Sequence, residues 1–77
     1  MEKIESSDLQ LVAYALVRGA RIIAINRSEP RRAVFVLQAD MLPDELKQDF
    51  MSNPNVSVQD FISAQATAKK ALFSDVY

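Results

Sequence analysis

Apolar positions along the chain change their spacing several times, and each change marks an element. Leu9, Val12, Ala13 and Leu16 recur at helical spacing, while Leu11, Ala15 and Val17 fill other sides, which predicts a helix buried around much of its girth. Ser7-Asp8-Leu9-Gln10 reads as a capping box with Ser7 at the N-cap and Gln10 at N3. Asp8 in the first turn suits the positive end of the helix dipole. Gly19, the only glycine, follows Arg18 where a left-handed residue ends a helix.

The period then shortens. Residues 21–26 and 33–37 are rich in Ile, Val and Phe, and the polar, proline-containing segment between them predicts an antiparallel hairpin. Read with period two, Ile23 and Ile25 share one face of the first strand, Ile22 and Ala24 the other. Val34 and Val36 share one face of the second strand, Ala33, Phe35 and Leu37 the other. Neither strand shows the one-sided alternation of a sheet with a wet face, so both faces of the ribbon want cover.

Helical spacing returns at Leu42, Leu46 and Phe50. Asp40 is the expected cap of that helix and Pro43 sits in its tolerant first turn. Asn53-Pro54-Asn55 breaks the pattern. Ser57 then caps a last helix with Asp60 at N3, and Val56 and Phe61 form a hydrophobic staple across its start. Phe61, Ile62, Ala68, Leu72 and Val76 are expected on one side of it, with Ala64, Ala68 and Ala71 allowing a close helix neighbour. Leu72, Val76 and Tyr77 are expected to finish this helix against the core. The order is α-β-β-α-α: an α+β fold, one domain over residues 1–77 with its core at about 6–73, a hairpin packed with three helices.

With that order in hand, the chain resembles a family of short bacterial and phage-associated domains of unknown function. The resemblance rests on Ser6-Ser7-Asp8-Leu9, Leu11-Val12-Ala13-Tyr14-Ala15-Leu16, the Arg18-Gly19 stop and the strand end Val34-Phe35-Val36. It closes with Val56-Ser57-Val58-Gln59-Asp60-Phe61 and Lys69-Lys70-Ala71-Leu72. Pro30 at the hairpin tip and Asn53-Pro54 depart from the pattern. The resemblance implies a fold and carries no activity or site residues with it.

Composition narrows the chemistry. The 77 residues include no His and no Cys. The usual general base, the thiolate nucleophile, a disulfide and the common zinc or haem ligands are therefore missing. One glycine cannot build a phosphate-cradling loop. The expectation is a protein that is not an enzyme and has no catalytic residues and no cofactor. Asp40, Asp44, Glu45 and Asp49 are read as a solvated, dipole-facing acidic surface rather than a metal site. Lys69 and Lys70 are read as exposed helix residues. No apolar run reaches the length of a membrane span, and the first residues lack a secretory pattern, so the expected location is the cytoplasm.

The net charge of −1 hides an uneven distribution. Arg18, Arg21, Arg27, Arg31 and Arg32 stand against Glu29 alone, while Asp40, Asp44, Glu45, Asp49 and Asp60 stand against Lys47. Two functional expectations follow. The first is a protein–protein interaction or assembly module that meets a second copy or another protein through the hairpin, with Ile23, Ile25, Val34 and Val36 as contact face. The alternative is a nucleic-acid-binding accessory protein in which Arg27, Arg31 and Arg32 contact phosphates.

Overall fold

The computed structural model describes residues 2–29, 31–52 and 54–74. The elements run β1 (Glu2–Ser6), α1 (Leu9–Val17), β2 (Arg21–Glu29), β3 (Arg32–Ala39), α2 (Pro43–Met51) and α3 (Val58–Leu72). This is an α+β fold with three helices and a three-stranded antiparallel sheet in the order β1-β3-β2. The helix, hairpin and two closing helices follow in the predicted sequence. The positions of Pro30, Asn53, Val76 and Tyr77 lie outside the described residues.

One element is additional. β1 pairs with β3 so that Ile4 stands opposite Leu37 and Glu5 opposite Val36. Its sequence, Glu-Lys-Ile-Glu-Ser, offers a single apolar residue. That residue suffices, because an edge strand needs one inward side chain and tolerates charges elsewhere. Ile4 is 3% exposed. The ribbon expected to stand as two strands is therefore covered along one edge by the chain's own N-terminal segment.

The helix ends follow local chemistry with two corrections. The N-cap of α1 is Asp8, not Ser7: its carboxylate accepts from the amides of Gln10 and Leu11. Ser6 Oγ accepts from the Asp8 amide, locking the turn ahead of it. Gly19 closes the helix at φ 99°. Leu42, not Asp40, occupies the N-cap of α2, which has no side-chain cap; Pro43 begins the helix, and Asp44 and Glu45 face its dipole. Ser57 caps α3 by accepting from the Asp60 amide.

All three helices lie on one face of the sheet. The β3 residues Ala33, Phe35, Leu37 and Ala39 point into the core with Ile4, Ile25, Val12, Tyr14, Leu46 and Ala68, whereas Val34 and Val36 do not join it. Ala64, Ala68 and Ala71 are buried along α3, small enough to bring it close to α1. Ile62, expected on that buried side, is 52% exposed instead; the alanine row faces α1, and Ile62 lies off it.

Candidate interaction site

The hairpin presents the surfaces singled out from the sequence, but a bulge rearranges them. Ile22 stands opposite Leu37 and Ala24 opposite Val36, so Ile23 is an extra residue in β2. Past this point the side-chain parity is reversed: Ile25 meets Phe35 and Asn26 meets Val34. The bulge thus lets both Ile22 and Ile25 turn toward the helices.

The four-residue contact face expected from strict alternation is therefore not one face. Ile25 is 7% exposed and belongs to the core. Val34, Val36 and Ala24 lie on the opposite, helix-free face, and Ile23 is 45% exposed at the bulge. That outer face is largely polar. The register sets Lys3, Gln38 and Arg21 side by side, then Glu5, Val36 and Ala24, then Val34 with Asn26, and finally Arg32 with Glu29 at the tip. Val36, between Glu5 and Ala24 in the register, is nonetheless buried at 9% exposure.

The second feature of the hairpin is its free edge. Among the described residues β3 is central and β1 closes one side, so β2, nine residues long, is a sheet edge with a strand neighbour on one side only. Unpaired backbone donors and acceptors along such an edge are a template for another strand.

The arginines separate into different roles. Arg27 Nη2 donates to the carbonyls of Ala71, Leu72 and Ser74 at 3.2, 2.7 and 3.0 Å. It caps the C-terminus of α3, where a cation answers the negative end of the helix dipole. Arg31 and Arg32 remain exposed at the hairpin tip. Arg18 leaves the cluster altogether: its Nη2 lies 3.0 Å from Asp49 Oδ2 on α2. The basic and acidic segments of the chain thus meet inside one subunit.

Around that ion pair a small polar knot ties α1 to α2. The Tyr14 hydroxyl donates to the same Asp49 oxygen, the Arg18 guanidinium sits 5.9 Å from the Tyr14 ring centroid, and Phe50 packs at 5.5 Å between ring centroids. Burial raises the Tyr14 pKa above its ordinary value, and the hydrogen bond to Asp49 adds to the shift. Beside the knot, Ala15, Arg18, Ala20, Ala39, Asp40, Met41 and Leu46 line an apolar hollow of about 110 Å³.

Among the described residues, no three His, Cys, Asp or Glu side chains gather to hold a metal ion, and no helix is long and apolar enough to cross a membrane. Sequence reasoning missed the β2 bulge and the role of Arg27. The bulge carries no glycine to announce it, and the Arg27 contact spans 45 positions to Leu72.

No curated protein and no solved structure matches the chain. A family model described as a domain of unknown function, DUF5659, matches residues 1–74. Since that match takes in every element from β1 to α3, the chain belongs to the DUF5659 family.

Proposed function

We propose that this domain is a non-enzymatic protein–protein interaction module that self-associates through its hairpin. The observation that carries this reading is the free edge of β2, flanked by the exposed Ile23. The helices cover one face of the sheet and β1 closes one edge. Among the described residues β2 has no strand on its second side, and a sheet edge of this length is stabilised by an added strand. The chemistry of the rest of the chain supports a binding role: there is no His or Cys, and the buried tyrosine and its aspartate hold two helices together. The resemblance noted from the sequence suggests a bacterial or mobile-element setting, with the cytoplasm as its compartment.

Light scattering on the wild type and on Ile23→Lys tests the reading. Self-association in the wild type, weakened by a charge beside the free edge, is the expected result. A wild type that stays monomeric at every concentration, or a mutant that associates unchanged, overturns it.

The nucleic-acid reading has less support. Of its three arginines, Arg27 is engaged by α3, which leaves Arg31 and Arg32 at the tip of a molecule of net charge −1. Counterion release scales with the number of phosphates neutralised, so two arginines give only weak binding at physiological salt. Heparin retention of the wild type compared with an Arg31→Ala/Arg32→Ala variant measures this directly.

A further inference from the structure

Resting on that self-association, we infer that the partner is a second copy docked edge to edge, β2 against β2 in antiparallel register, with Ile25 on the two-fold axis. The argument comes from what lies on either side of Ile25. Arg21 stands four positions before it and Glu29 four positions after it, at the two ends of the strand. Antiparallel pairing about Ile25 sets Arg21 of each copy opposite Glu29 of the other, twice per dimer. Arg21 and Glu29 are both exposed, and neither takes part in the Arg18–Asp49 ion pair, so their charges are available to a partner.

The faces agree as well as the charges. In an antiparallel ladder, residues directly opposite share a face. Arg21, Ala24, Asn26 and Glu29 stand opposite Gln38, Val36, Val34 and Arg32, all on the helix-free face, while Ile25 stands opposite Phe35 on the core face. About Ile25, the register pairs Arg21 with Glu29, Ala24 with Asn26 and Ile25 with itself, and sets Ile22 and Ile23 opposite Ser28 and Arg27, where the two irregularities fall. At the positions in regular pairing with β3, outer residues meet outer residues, and the two cores join through Ile25.

Other registers lose one of these matches. A two-fold at Ala24 sets the core-facing Ile22 against the outer Asn26, because the bulge has reversed the parity between them. A two-fold at Asn26 sets Glu29 opposite Ile23 and leaves Arg21 beyond the strand. The irregularities at Ile23 and between Asn26 and Glu29 also fall on either side of Ile25. Each interruption of one edge thus lies against an interruption of the other.

Charge reversal and cross-linking test the register separately from the association. In sedimentation equilibrium at low salt, Arg21→Glu and Glu29→Arg should each weaken the dimer about tenfold, since each places two like-charged pairs in the interface. The double variant should return to within about threefold of wild type. Both positions are exposed, so the fold is retained. The chain has no Cys, so an Ala24→Cys/Asn26→Cys variant should form a disulfide-linked dimer on mild oxidation. A dimer indifferent to both charge reversals, with no cross-link, overturns the register and leaves self-association standing. A wild type that is monomeric throughout overturns both.

Discussion

Arg27 Nη2 reaches across the molecule to the carbonyl oxygen of Leu72, 2.7 Å away. With Ala71 and Ser74 also accepting from the same nitrogen, one side chain of the hairpin closes the last turn of α3. The contact joins the sheet edge to the helix that packs on α1, so the hairpin's position and the C-terminal helix are coupled. A residue that looks from its sequence neighbours like part of a phosphate-binding cluster acts as a helix cap.

Replacing Arg27 with Ala should therefore cost stability. Removing a charged donor from three carbonyls is expected to destabilise the domain by about 1–2 kcal/mol in urea unfolding. Arg27→Lys should recover only part of this, because the lysine side chain keeps the charge but is shorter than the arginine whose Nη2 reaches the three carbonyls. Heparin retention, by contrast, should not change in either variant.

The outcome at Arg27 illustrates which parts of this fold are legible in sequence. Capping chemistry and spacing act within a few residues, so Ser57 with Asp60, Gly19 after Arg18, and the apolar core of α1 can all be read directly. Even there a neighbour can win: Asp8 takes the cap from Ser7 because its carboxylate reaches two amides. Long-range effects are not written locally. Ile4 becomes a core residue only because β3 runs beside it. Ile25 changes face because of an extra residue two positions earlier. The candidate site suffers most, since strict alternation through a bulge mixes a core residue, Ile25, with the outer valines.

The Tyr14–Asp49 hydrogen bond predicts a pH dependence. Burial holds the Tyr14 pKa above the value of 10.0 that applies to the unfolded chain. Between those two values the unfolded chain has lost a proton that the folded one keeps, so rising pH favours unfolding. The contribution is complete below about pH 10 and is lost as pH climbs beyond it. Tyr14→Phe removes this alkaline loss. Urea midpoints from pH 8 to 11 should fall more steeply for wild type than for the variant. At neutral pH the variant should be less stable by about 1 kcal/mol from the missing hydrogen bond.

Gly19 gives a backbone prediction without a packing component. Its φ is 99°, and a methyl group placed on it meets no atom within 4 Å. Gly19→Ala therefore reports strain alone, and about 1–2 kcal/mol of lost stability is expected. The melting temperature should fall while the far-ultraviolet circular dichroism of the folded state stays the same.

Ile4 carries the strand that sequence periodicity passes over, and its loss should be felt beyond β1. Its side chain is 3% exposed opposite Leu37, so Ile4→Ala empties part of the core under α2 and is expected to cost about 2–4 kcal/mol. In a domain of 77 residues, where total stability is on the order of 5 kcal/mol, that is a large fraction of the whole. The free backbone of β3 would follow, since β1 is the strand that satisfies it on that side. A variant lacking residues 1–6 should therefore do more than lose a core side chain: it should expose the inner strand of the sheet and aggregate. Light scattering of the truncated chain beside Ile4→Ala separates the two effects. A truncated chain as soluble and as stable as the point variant would show that β1 contributes Ile4 and nothing more.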